Sequence, residues 1–153
     1  MPSGPYTALS PAALADVDEF DRCFPDDESC LVFLWRTVHS PDGETAYCVR
    51  CRAYKAFRRY VLHPPRRSWT CRRCGFHFHP TAGTIFERSG TPLRAWFYAI
   101  YLVSHSEERV SARRLQRELG VTYKTAWRIL RLVREQMSRG SPEHGPFASL
   151  RTA

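Results

Sequence analysis

Cys48, Cys51, Cys71 and Cys74 form two Cys-x-x-Cys pairs separated by nineteen residues, a spacing that suits a four-thiolate metal site. Each pair can place two sulfurs on one ion, and together they make the closed tetrahedral set that Zn²⁺ prefers. A set of four thiolates leaves no open position for a substrate, so the role expected of the zinc is structural. Four thiolates also suit iron in a rubredoxin-like centre, and colour separates the two. His77 and His79 follow the second pair. With the tetrahedron complete they read as ordinary strand residues, His77 being the better substitute ligand if a cysteine is unused. Cys30 reads as a small core residue, and Cys23 has no assigned role.

The second set of residues that can do chemistry is basic. Residues 1–48 hold two arginines against nine acidic side chains, whereas the net charge of the whole chain is +8, so the positive surplus starts at the cysteines. Such a distribution points to a polyanionic partner, first of all nucleic acid. Among the candidates, Tyr123, Lys124, Thr125, Arg128 and Arg131 fall on the polar side of a helix. Lys124 and Arg128 suit guanine edges, and Thr125 suits a thymine methyl or a phosphate. Arg113, Arg114 and Arg117 on the preceding helix suit the phosphate backbone, where contacts position without specifying. A solvated helix face is the competing reading. A further basic set, Arg50, Arg52, Lys55, Arg58, Arg59, Arg66, Arg67, Arg72 and Arg73, is interleaved with Tyr54, Phe57, Tyr60 and Trp69. Those aromatics either meet nucleic acid or fill a thin core. No zinc-protease motif or phosphate-cradling glycine loop is present, and the basic half has no carboxylate pair set to hold magnesium, so no catalytic residue is assigned.

The elements that must position these groups follow from pattern. About thirty-five residues around the cysteines cannot offset their ordering entropy by burial, so this segment should need its metal to fold. Its expected strands are 53–61, 68–70 and 76–79, the three strands of a zinc ribbon. Ahead of it, Asp26 caps a helix with Cys30, Leu31, Leu34 and Val38 on one face, expected to pack on the ribbon. Behind it, Thr91 caps and Pro92 opens a helix with Leu93, Trp96, Phe97, Ile100 and Tyr101 inward. Ser111 caps a short helix that Gly120 ends, and Thr122 caps a third with Ala126, Leu130, Val133 and Met137 inward. Helix, tight glycine turn and helix make a helix-turn-helix, whose last helix enters the major groove. The four-three-four spacing of the third helix also fits a short dimer seam.

The fold class read from sequence is therefore small α+β: a three-stranded zinc ribbon with a preceding helix, followed by an all-α three-helix helix-turn-helix domain. The divisions are 1–25, an acidic and poorly ordered tail with a weak helical turn near 11–16; 26–88, helix plus ribbon; 89–139, the helix-turn-helix domain; and 140–153, a flexible tail. With no apolar run of membrane-spanning length and no export signal, the expectation is a cytoplasmic, nucleoid-associated protein.

From Asp26 to Met137 the sequence resembles the N-terminal part of bacterial insertion-sequence transposases that begin with a zinc ribbon. The resemblance rests on D-D-E-S-C-L at 26–31, P-D-G at 41–43 and the two cysteine pairs. It continues through T-A-G-T-I-F at 81–86, S-G-T-P-L-R-A-W-F-Y-A-I-Y-L at 89–102 and L-Q-R-E-L-G-V-T-Y-K-T-A-W-R at 115–128. It implies zinc on Cys48, Cys51, Cys71 and Cys74, and binding of the helical unit to terminal inverted repeats of an element. It also implies a later ribonuclease-H-like core with metal-holding acidic residues, and here Glu143 is the sole carboxylate side chain after Arg139. The expected function is a zinc-dependent DNA-binding protein equal to the recognition half of such a transposase, truncated or repurposed. The rivals are a recognition subunit whose catalysis comes from another chain, and a transcriptional repressor. Expected partners are double-stranded DNA, a protein docking on the acidic residues 1–48, and a second copy of the chain.

Overall fold

The computed structural model describes residues 17–61 and 67–139. The expected tails at 1–16 and 140–153, with the weak turn near 11–16, lie outside the described residues. The element order is α1 (Val17–Cys23), α2 (Asp27–Leu34) running into a π-helical turn (Trp35–His39), β1 (Thr45–Cys48), β2 (Ala53–Val61), β3 (Arg67–Cys71), β4 (His77–Phe78), α3 (Leu93–His105), α4 (Ala112–Leu119) and α5 (Tyr123–Arg139).

The sheet corrects the expected three-stranded ribbon. It has four antiparallel strands in the order β1-β2-β3-β4. The extra strand is β1, which alternates exposed Thr45 and Tyr47 with buried Ala46 and Cys48. The nine residues of β2 are long enough to serve two partners in turn. Its first half pairs with β1, Cys48 opposite Ala53 and Tyr47 opposite Tyr54, and its second half pairs with β3, Phe57 opposite Cys71 and Val61 opposite Arg67. The expected strand at 76–79 shortens to His77–Phe78.

The second correction concerns the helices, which do not form a separate three-helix unit behind the ribbon. Phe20 and Phe24 of the α1 region, with Cys30, Phe33, Leu34 and Val38, share one core with Trp96, Phe97, Ile100, Leu115, Ile129 and Val133 of α3, α4 and α5. Residues 17–24, expected in a poorly ordered tail, are held by this core. Phe20 is fully buried, and Phe24 meets Phe33 and Phe97 edge-on at 5.3 and 5.0 Å. Arg94 of α3 fastens them further, its Nε donating to the Phe24 carbonyl at 2.8 Å and its guanidinium pairing with Asp21.

α2 begins as its sequence predicts. Asp26 accepts from the Ser29 amide at 2.8 Å and Ser29 returns a bond to Asp26, a capping box with Asp27 and Glu28 in the first turn. The apolar stripe of α2 is divided: Cys30 and Leu34, with Val38 beyond them, enter the helical core, while Leu31 also reaches the sheet as expected, with Val32 beside it. The Ser40 amide reaches back five residues to the Trp35 carbonyl at 2.7 Å. Trp35, four residues after Leu31 and with its N–H still on the Leu31 carbonyl, points at the sheet, stacked on Trp69 at 4.8 Å and 15° and touching Phe57 and Phe78, with its indole N–H on the Gly43 carbonyl. A second, smaller core of Trp35, Ala46, Cys48, Phe57, Trp69 and Cys71 results.

The start of α3 is also corrected. Thr91 supplies no cap, and Pro92 stands in the N-cap position with no side-chain hydrogen bond of its own. The Arg94 amide is satisfied from α2, by Asp27 Oδ1 at 2.8 Å. α4 keeps its expected ends, Ser111 accepting from the Arg114 amide and Gly120 closing the helix at φ 65°, where a side chain would be strained. Thr122 accepts from the Thr125 amide at 3.2 Å to start α5.

Candidate metal centre

Two hairpins carry the cysteines. Cys48 ends β1 and Cys51 lies in the turn before β2, while Cys71 ends β3 and Cys74 lies in the turn before β4. In both turns the residue just after the second cysteine takes a left-handed backbone, Arg52 at φ 55° and Gly75 at φ 76°. The glycine adopts this freely, and the arginine bears the cost of a Cβ in that region. Each turn aims amides at sulfur. The Cys51 N–H meets Cys48 Sγ at 3.4 Å, and the Arg73 and Cys74 amides donate to Cys71.

The four sulfurs lie within 4.8 Å of one another, and among the described residues no other group of three or more histidine, cysteine or acidic side chains is gathered this way. Cys48 Sγ is 3.6 Å from Cys74 Sγ, and Cys51 Sγ is 4.0 Å from Cys71 Sγ. Those separations are far beyond a disulfide bond of about 2.05 Å. They bracket the edge of about 3.8 Å that a tetrahedron with metal–sulfur bonds of about 2.3 Å requires. Each close contact joins one hairpin to the other, so an ion on this set ties both together. The donor set therefore fits a metal ion held by Cys48, Cys51, Cys71 and Cys74.

The thiols differ in their electrostatics. Loss of hydration, followed by hydrogen bonds with the other three thiols, pushes Cys51 up to about 12. At Cys71 loss of hydration is again the largest influence and acts upward, but the amides of Cys74 and Arg73 outweigh it and bring the thiol down to about 7. His77 and His79 stay outside the cluster. The His77 Nδ1 instead shares hydrogen bonds with Thr70 Oγ1 at 3.2 Å and Ser68 Oγ at 3.4 Å. Cys30 is fully buried in the helical core, and burial pushes its thiol far up; Cys23 packs half-buried against the same core.

The basic candidates fall into two groups. Tyr123, Lys124 and Arg128 are exposed on the first turns of α5, opposite buried Ala126, Ile129, Leu130 and Val133. Thr125 is half-buried, and its Oγ1 accepts from Thr122 at 2.9 Å, so it serves the helix start. Arg131 lies over the Trp127 ring at 5.5 Å and reaches Glu135 at 3.5 Å. On α4, Arg113 and Arg117 are exposed, while Arg114 is half-buried between Ser106 and Glu118. Two of the eight arginine, lysine and polar candidates, Arg114 and Arg131, therefore have counter-charges. Sequence reasoning passed over Trp127, which is 52% exposed while Trp35, Trp69 and Trp96 are buried. Its signal was its position four residues after Tyr123, outside the apolar stripe.

The chain is 34% identical, over 95 residues, to an uncharacterized protein in transposable element ISH50 of Halobacterium salinarum, a match that covers 61% of this chain and 29% of that protein. No family model matches, and no solved structure does. The chain is thus similar to a transposable-element protein less than a third of whose length it spans, and it carries a four-cysteine cluster of metal-site geometry.

Proposed function

We propose that this protein binds duplex DNA as the recognition unit of a transposase-type protein, with a structural Zn²⁺ on Cys48, Cys51, Cys71 and Cys74. In this reading α4, the Gly120–Thr122 turn and α5 act as a helix-turn-helix, α5 lies in the major groove, and Tyr123, Lys124 and Arg128 meet base edges. Arg113 and Arg117 then reach the phosphates. The observation that carries the reading is the outer face of α5: from Tyr123 to Arg134 it offers cations and aromatics without one carboxylate, while its inner face is closed by the core. Similarity to a transposable-element protein supports the same partner.

Selection of bound duplexes from a random pool tests the reading. A recovered consensus is expected, with log K falling against log salt at about −0.9 per phosphate contacted. Arg128→Ala should relax preference at one position by about 1–3 kcal/mol, and Arg117→Ala should weaken all sequences alike. Equal affinity for selected and random duplex at physiological salt refutes recognition. Metal analysis of the same sample is expected to return one zinc per chain, and a coloured iron protein refutes the zinc assignment.

A further inference from the structure

The sheet has two faces. One packs Ala46, Cys48, Phe57, Trp69 and Cys71 against Trp35. The other faces outward, and with a period of two it collects Tyr47 from β1 and Tyr54, Arg58 and Tyr60 from β2. Register aligns them across the strands: Tyr47 lies opposite Tyr54, Arg58 opposite Thr70, Tyr60 opposite Ser68, and Thr70 opposite His77, with Ser68 and Thr70 themselves buried between their neighbours. Tyr54 is 74% exposed and Tyr47 47%, their rings 5.7 Å apart and nearly perpendicular. At the far end of the strand Tyr60 lies 5.1 Å from the His77 ring. Between the two aromatic pairs a recess of about 410 Å³ is lined by Arg58, Thr70, Cys71, Arg72 and Gly75.

Tyrosine rings left in water on a small protein call for an occupant, since their π-faces gain most from a flat apolar partner. Charge says which. From Thr45 to His79 the chain has nine basic side chains and no carboxylate, so the charge that the strands themselves carry is positive throughout and suits an anionic strand. In a duplex the base faces are stacked on one another and closed to a tyrosine, whereas unpaired bases have theirs free. Tyr54 and Tyr60 are six residues apart on an extended strand, about 20 Å, room for several nucleotides.

We propose that this outward face binds single-stranded DNA, with bases stacked on Tyr54 and Tyr47 at one end and on Tyr60 at the other, and phosphates held by Arg58 and Arg72 between them. Only the identity of the polymer as DNA rests on the reading of α5; the stacking face stands without it.

The test uses the full metal-bound chain and fluorescence anisotropy with a labelled oligothymidylate, a labelled mixed duplex and an oligouridylate competitor. Tyr54→Ala is expected to weaken oligothymidylate binding about 5- to 100-fold and leave the duplex unchanged, with Tyr54→Phe restoring it. Arg58→Ala should lower the salt slope on the single strand by about 0.7. Lys124→Ala should do the reverse of Tyr54→Ala, weakening the duplex alone, so a chain that binds one probe and not the other separates this face from α5. Unchanged oligothymidylate affinity in Tyr54→Ala, an equal loss on the duplex, or no binding of oligothymidylate at physiological salt overturns the proposal. Tighter binding of oligouridylate than of oligothymidylate overturns the assignment to DNA.

Discussion

Stripping the metal from this protein should unfold one of its two cores and spare the other. Among the described residues the sheet's core has six buried members, two of which are the thiols Cys48 and Cys71, whereas the helical core has 22. Burying an aromatic such as Trp35, Phe57 or Trp69 stabilises by about 1.5–3 kcal/mol, while a structural four-ligand site contributes on the order of 10–16 kcal/mol. Loss of the larger contribution leaves the two hairpins without enough burial to hold them. The helices have no thiol ligand and retain their own apolar contacts.

The Trp35–Trp69 stack reports the event directly, since indoles 4.8 Å apart and nearly parallel couple their transitions and give a distinctive circular dichroism signal. On titration with a strong chelator that signal is expected to vanish and tryptophan emission to shift red, while most helical ellipticity persists. Metal restored in stoichiometric amount should bring the couplet back. A chelated, metal-free sample that keeps both the couplet and its native melting curve would refute the argument that the ion holds the sheet together.

Three further outcomes follow from individual contacts. Asp42 accepts from the Thr45 hydroxyl and amide, the Glu44 amide and the Ser40 hydroxyl, and these bonds hold its carboxyl well below the usual carboxylate range. Its contribution is thus fully present above the unfolded value near 3.9 and fades as pH falls below it; Asp42→Asn should cost about 1 kcal/mol at neutral pH, and the gap from wild type should narrow in acid melts. Asp27→Ala removes the cap that α2 gives α3 and should cost about 0.5–2 kcal/mol, seen as a lower chemical-denaturation midpoint, with Asp27→Asn costing less. Trp127 is the one exposed tryptophan of four, so iodide should quench it selectively, and added cognate duplex should protect it if α5 is the DNA-facing helix; quenching unchanged at saturating duplex would place the contact elsewhere.

The parts of this fold that were legible in the sequence are those specified by short-range chemistry. The cysteine spacing located the cluster, and Asp26, Ser111, Gly120 and Thr122 located helix ends, because caps and turns act over three or four residues. Strand β2 was read at its true bounds from its β-favouring run. What was misread depends on distance or on pairing. The Asp27 cap on α3 joins residues 67 apart in sequence. Phe20 and Phe24 are buried by Phe33, Tyr98 and Phe97, none of which an acidic N-terminal stretch announces. β1 was hidden by its brevity, four residues whose alternation makes sense only beside Ala53–Ala56. Trp35, four residues after Leu31, keeps the helical period; what the sequence hid is that its face meets Phe57 and Trp69, strand residues far along the chain.

One short helix serves both cores from its two faces. Leu31 packs against the helical core and the sheet core alike, Phe33 and Leu34 belong to the first, and Trp35 belongs to the second. Around it, Asp27 ties α2 to α3, Glu28 pairs with Arg59 of β2, and the His39 ring meets the Pro80 carbonyl at 2.8 Å. Arg59 also lies over Trp69 at 5.9 Å, so the ion pair on β2 and the indole stack on β3 brace neighbouring strands. An exposed ion pair alone is worth little, about 0–1 kcal/mol, and the Glu28–Arg59 pair is about one-third exposed. The junction therefore rests on the buried indoles, with polar contacts setting its orientation. Because α2 is wedged between the sheet and the helices and bonded to both, the four-cysteine cluster and the outer face of α5 belong to one packed body.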